Sequence, residues 1–157
     1  MSLTILHIIP TMGQGGAERL LHSLAARPAE GHRHIVLTLF NEALFREGID
    51  LRTLGFRRRQ RFGSFIRFAL AWRSIRALIR SERVSVVHGW LYYGMLATLY
   101  ARPYVGKVAW SIHNTVMPSN DTPRVLHFAE RWCGRLSRWL PDGIIYCAEA
   151  ARASHEA

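Results

Sequence analysis

Short apolar runs rich in β-branched residues alternate along this chain with longer stretches whose apolar positions recur at helical spacing. The first run, Leu3-Thr4-Ile5-Leu6-His7-Ile8-Ile9, is closed by Pro10. Continuous rather than alternating hydrophobicity predicts a strand buried on both faces of a parallel sheet. His34–Phe40 is a second such run, and Leu51–Phe56, punctuated by Gly48 and Gly55, a short third. Val84–His88, Lys107–Ile112 and Ile144–Cys147 complete the set.

Helical patterns lie between the runs. Leu20, Leu21 and Leu24 fall on one side of a helix opening at Gly16. Phe65, Phe68, Trp72, Ile75 and Ile79 form one stripe, with Arg73, Arg76 and Arg80 on the other side. That pattern predicts an amphipathic helix from an N-capping Ser64 to about Arg83, its aromatic residues turned to the core. Tyr92 to Ala101 reads as a helix ended by Pro103, and Val125, Phe128, Trp132, Leu136 and Trp139 as another stripe, stopped by Pro141-Asp142-Gly143. Glu149 to Ala157 reads as the opening turns of a further helix. Arg57–Arg61 and the polar stretch Met117–Pro123 are expected to be loops, the second of them mobile. Strands alternating with helices predict one α/β domain, a doubly wound, mainly parallel sheet flanked by helices. Ligands bind such sheets beyond the carboxyl ends of the strands. Gly15, His88 and His113 fall at these ends.

Composition changes the picture in one respect. An apolar content of 49% and a charged fraction of 20% suit a globular domain, but the net charge is +10. Lys107 is the sole lysine, the other basic residues being arginine, and between Arg46 and Arg83 arginines greatly outnumber Glu47, Asp50 and Glu82. Arg73, Arg76 and Arg80 are therefore a candidate membrane or anion patch, set against the simpler reading of a solvated helix face. Helix-turn-helix, RNA-binding-sheet and zinc signatures are lacking, so no specific nucleic-acid partner is expected. Cys133 and Cys147, far apart and within apolar patterns, are expected as reduced core residues of a cytoplasmic chain, peripheral at most to a membrane.

The stretch with most chemical content is Gly13-Gln14-Gly15-Gly16, between the first strand and the first helix. A helix N-terminus has unpaired backbone N–H groups and the positive end of the dipole, and glycine lets a phosphate approach them. A dinucleotide fingerprint is incomplete here, since Glu18 stands where G-x-G-x-x-G needs its last glycine. Glu18 otherwise reads as an ordinary acid of a first helical turn.

Beyond its glycines, Ile5-Leu6-His7-Ile8-Ile9-Pro10-Thr11-Met12-Gly13-Gln14-Gly15-Gly16-Ala17-Glu18 strongly resembles the amino terminus of family 4 glycosyltransferases. The resemblance recurs at Val86-Val87-His88, Ser111-Ile112-His113-Asn114 and Gly143–Cys147, and is weakest between Asn41 and Arg83. It implies the GT-B architecture of two Rossmann-like domains facing a cleft, and retaining transfer of a sugar from a nucleotide-diphosphate sugar to a glycan or lipid-linked acceptor. It also implies that Gly13, Gly15 and Gly16 lie against the donor's phosphates and sugar, and that His113 faces that sugar as the catalytic residue. His88, Trp90, Tyr93 and Asn114 would line the acceptor side. No metal or other cofactor is expected. The family's serine after the last strand is replaced by Ala148. Nothing here corresponds to the family's nucleotide-binding second domain, so the chain is expected to be the acceptor-side half of such an enzyme, inactive alone. The competing reading is a stand-alone module that binds a glycan or anionic lipid, or docks onto a partner.

Overall fold

The computed structural model describes residues 2–56, 64–113 and 124–156. Six strands form one sheet: β1 (Thr4–Ile9), β2 (Arg33–Phe40), β3 (Asp50–Phe56), β4 (Val86–Trp90), β5 (Lys107–Ile112) and β6 (Gly143–Tyr146). Their order is β3-β2-β1-β4-β5-β6, and every pairing is parallel. The helices are α1 (Gly16–Ala26), α2 (Ser64–Ser81), α3 (Leu91–Ala97), α4 (Arg124–Leu136) and α5 (Glu149–Glu156). Two short 3-10 turns, Thr98–Tyr100 and Arg102–Tyr104, carry the chain from α3 toward β5. Strand order reverses between β1 and β4, where a doubly wound sheet opens a crevice above its carboxyl ends.

The two sheet faces are packed differently. On one, Leu6, Ile8, Leu37 and Val87 meet Ile75 and Ile79 of α2. That core continues on the same face through Val108, Trp110 and Ile112 to Met95 of α3 and to Ala129 and Cys133 of α4. On the other face, Ile9, Val36 and Trp90 pack under Ala17, Leu21 and Ala25 of α1.

Five expectations need correction. β4 does not end at His88 but runs to Trp90. Gly89 is there because α3 presses on the strand: a Cβ would come within 2.7 Å of the Met95 backbone. The helix expected to reach Ala101 ends at Ala97 and tightens into 3-10 turns. Cys147 is exposed and Cys133 buried, because the former lies beyond the end of a short edge strand. Finally, the stripe of α4 points outward. Val125, Phe128, Trp132 and Trp139 are exposed, and the small residues Ala129 and Cys133 face the sheet. Leu126 and Leu136 of α4 pack against the same cluster of Tyr92, Met95 and Trp110, so the core-facing side of the helix is Leu126, Ala129, Cys133 and Leu136 rather than the expected stripe. In α2, Ala71, Ile75 and Ile79 are buried, but Trp72 sits at the solvent margin. The Arg57–Arg61 and Met117–Pro123 loops lie outside the described residues.

Candidate functional site

The glycine turn is held where β1 empties. Met12 is buried, its N–H donates to the Glu42 carbonyl (2.9 Å), and its carbonyl accepts from Leu44 (2.8 Å). Gly15 is the N-cap of α1 in an extended conformation and, having no side chain, makes no side-chain cap. Over this turn folds the Glu18 carboxylate, which takes the space that a Cβ on Gly15 would need.

Opposite the turn, β4 and β5 deliver Trp90 and His113. Their rings are stacked, with centroids 5.0 Å apart and planes within 6°. His113 is half-buried, and its Nε2 is shielded from solvent without a hydrogen-bond partner among the described residues. Burial holds its pKa below the ordinary value, a shift that the Glu18 carboxylate partly opposes. His113 is therefore neutral at pH 7, with a ring nitrogen unpaired in a crevice that Glu18 shares.

Beneath this pair lies a row of imidazoles. In register, β1 sets His7 beside His88 of β4, and Ile5 beside His34 of β2. The Trp90 indole N–H donates to His7 Nδ1 (3.1 Å), and His7 Nε2 lies 2.8 Å from His34 Nδ1. Because His7 Nδ1 is an acceptor, the neutral ring carries its proton on Nε2 and donates to His34 Nδ1. A directed chain thus runs from Trp90 through His7 to His34. His88 Nε2 meets the Ser111 hydroxyl at 2.6 Å. Burial pushes His7 well below its ordinary pKa, and His88 down to about 4, with His113 adding repulsion. The row is neutral and structural in character, and it fixes the Trp90 ring on which His113 rests.

The structure thus brings the Gly13–Gly16 turn and His113 to the carboxyl ends of the strands, whereas Trp90 and His88, expected on the acceptor side, are both buried, Trp90 in the core under α1 and His88 inside its strand. Tyr93 is not with them. It packs on the α2–α3–α4 side, edge-on to Phe40. Asn114 lies outside the described residues. Arg73, Arg76 and Arg80 of α2 are also on the far side of the sheet, where Arg76 sits over the rings of Trp72 (5.7 Å) and Tyr104 (5.2 Å). Among the described residues no group of three or more His, Cys, Asp or Glu is placed to hold a metal ion.

Sequence reasoning gave Glu18 only the role of an ordinary first-turn acid and passed over His7, His34 and Ser111. For Glu18 a signal existed: it stands three residues after the N-cap, where an acid folds back over the helix start. A histidine inside an apolar run, as at position 7, is a weaker signal of the same kind.

A parallel doubly wound sheet with a glycine turn at its switch point defines a Rossmann-like α/β domain of the kind that makes up each half of a GT-B protein. The chain belongs to glycosyltransferase family 4, whose model matches residues 14–157. Among solved structures, HepE of Anabaena in complex with UDP and glucose is similar with a TM-score of 0.70 at 16% identity, over 98% of this chain and 40% of that one. The same protein with UDP-glucose gives 0.69 at 15% identity, again over 98% and 40%. A UDP-N-acetylglucosamine 2-epimerase gives 0.63 at 12% identity, over 99% and 45%. The chain therefore spans less than half the length of these structures. No curated protein matches it by sequence.

Proposed function

We propose that this chain forms the acceptor-side half of a retaining glycosyltransferase that draws its sugar from a nucleotide-diphosphate donor. The observation that carries the reading is the shielded Nε2 of His113, without a hydrogen-bond partner among the described residues and on a ring stacked on Trp90 beside the glycine turn. A nitrogen left unpaired in a partly dry crevice costs free energy until a ligand's polar group meets it. A sugar hydroxyl is such a group. That HepE was solved with UDP and glucose supports a UDP-sugar as the donor class.

In this reading the Glu18 carboxylate swings off Gly15 when the donor enters, and the first turn of α1 then offers its backbone N–H groups to the diphosphate, or to the sugar joined to it. The bond from the anomeric carbon to the diphosphate oxygen breaks, and the acceptor oxygen bonds to the same face of that carbon. The acceptor's proton passes to the departing phosphate oxygen. Neutral His113 holds a donor hydroxyl in place, so its contribution is positioning rather than proton transfer. The acceptor is a glycan or a lipid-linked sugar. Nucleotide contacts come from a second domain, and this chain by itself does not turn over.

The test is sugar transfer by the protein isolated from its own cells, supplied with labelled UDP-sugars. His113→Ala is expected to lower kcat by about a hundredfold with the fold intact, and the product anomer should match the donor. An unchanged kcat, or an inverted anomer, refutes the proposal.

A further inference from the structure

The sheet face away from the glycine turn holds a cavity that sugar transfer does not use. Its floor is made by register: Trp110 lies beside Ile144 and Ile112 beside Tyr146, all four turned to the α4 side of β5 and β6. Tyr92 and Met95 of α3, both buried, form its back wall. The roof is Glu130, Cys133 and Gly134 of α4, which at this spacing share one side of the helix. The space between them measures about 300 Å³, at the lower end of the range for ligand pockets. It stays open because the roof has little side chain to fill it. Cys133 is small, and a Cβ on Gly134 would meet nothing within 4 Å.

One carboxylate enters this mainly apolar space. Glu130 is half-buried, and its partner is His127, with Nδ1 3.7 Å from Oε2, a pairing that exists only when the imidazole is protonated. Burial pushes the Cys133 thiol up to about 12, and the Glu130 carboxylate adds repulsion. The Tyr92 phenol is likewise pushed up to about 12 by burial, then by Glu130 and Cys133. Both groups are neutral at pH 7, and the charge that acts on them belongs to Glu130. Among the described residues no arginine, lysine or histidine lines the cavity.

We propose that this cavity binds a small organic cation with an apolar, ring-sized body, its ammonium group set against the Glu130 carboxylate. The floor and back wall select the body, because Trp110, Tyr92 and Tyr146 supply aromatic surface that suits apolar rings and cations alike. Glu130 selects the charge. An anion would meet a carboxylate with no basic side chain in the lining to offset it. A sugar would leave most of its hydroxyls against apolar walls, at a cost in lost hydrogen bonds. A nucleotide diphosphate fails on both counts, so the cavity is not a second donor site. Its occupation leaves the glycine turn free, because α1 packs on the opposite sheet face. The proposal does not depend on the transferase reading.

The test is isothermal titration of the full chain with probes of one shape and different charge: tryptamine, 3-ethylindole and indole-3-propionate. Tryptamine is expected to bind with a Kd of about 1 mM or below, about tenfold more tightly than neutral 3-ethylindole. Indole-3-propionate should bind more weakly than either. The net charge of +10 would favour that anion at a nonspecific surface site, so the order of affinities reports the cavity. Glu130→Gln should remove the preference for the amine and leave binding of 3-ethylindole unchanged. Gly134→Leu, whose side chain has open space, should weaken both by filling the cavity, with circular dichroism unchanged. The proposal is overturned if tryptamine does not bind, or if indole-3-propionate binds as tightly. It is also overturned if Glu130→Gln keeps the amine preference, or if folded Gly134→Leu binds both probes like the parent.

Discussion

The buried imidazoles make the fold acid-sensitive, and His88 sets the magnitude. Its pKa is pushed down from 6.5 to about 4, chiefly by burial, with repulsion from His113 and His34 added. The unfolded chain takes up a proton at this ring below pH 6.5, and the folded chain does not until about pH 4. In that window the unfolded state binds more protons, so stability must fall as pH falls. Each unit crossed removes about 1.4 kcal/mol, so His88 alone withdraws about 3 kcal/mol by pH 4. That is a large part of the 5–15 kcal/mol typical of a domain, roughly. His7, also well below its ordinary pKa, acts in the same direction. The assay is urea unfolding followed by tryptophan fluorescence, in half-unit steps from about pH 7.5 to about pH 4.5. His88→Gln should flatten the slope by about 1.4 kcal/mol per pH unit, the linkage of one proton. An equal slope in parent and variant refutes the reasoning. So does an NMR titration of the parent in which the His88 ring takes its proton near the ordinary value.

Four further substitutions probe packing and helix capping. Gly94→Ala would place a Cβ into the Ile8 carbonyl of β1 and is expected to cost about 1–3 kcal/mol or more. Gly134→Ala meets nothing within 4 Å and should stabilise α4 by roughly 0.5–1 kcal/mol, so equal effects of the two on the urea midpoint would contradict the packing described. Trp90→Phe keeps a ring under His113 but leaves His7 Nδ1 without its donor, for an expected loss of about 1–3 kcal/mol. A loss of only a few tenths would mean that the indole N–H does not direct the imidazole chain. Ala148→Ser puts a hydroxyl where α5 begins, just after β6, and should raise stability by about 1 kcal/mol as an N-cap, read as a higher thermal midpoint.

Much of this fold is visible in local sequence pattern. The bounds of β5 coincide with the run Lys107–Ile112, and β1, β2 and β3 agree with their runs to within one residue. Buried parallel strands announce themselves because both faces must be apolar. Gly89 misled because glycine after an apolar run reads as a stop, whereas here it admits α3 against the strand. The α4 stripe misled for a different reason. Helical spacing shows that one side is apolar but not which side meets the core, and here Leu126, Ala129, Cys133 and Leu136 meet it.

The candidate site was legible at its edges and hidden in its middle, because the middle is made by register. Glycines before a helix and a histidine after a strand are local signals. The polar row is not. His34, His7, His88 and Ser111 belong to four separate strands, and each is a polar residue within a mainly apolar run. Only when Ile5 is set beside His34, His7 beside His88 and Trp90 beside Ser111 do they fall on one face of the sheet, under the switch point. Shifting β4 by one residue against β1 would turn His88 and Trp90 to the α2 side and strand two polar side chains in its aliphatic core. The same hydrogen bonds that support Trp90 beneath His113 therefore help to hold β1, β2 and β4 in register. A substitution that loosens the imidazole row should disturb the strand order and the crevice together.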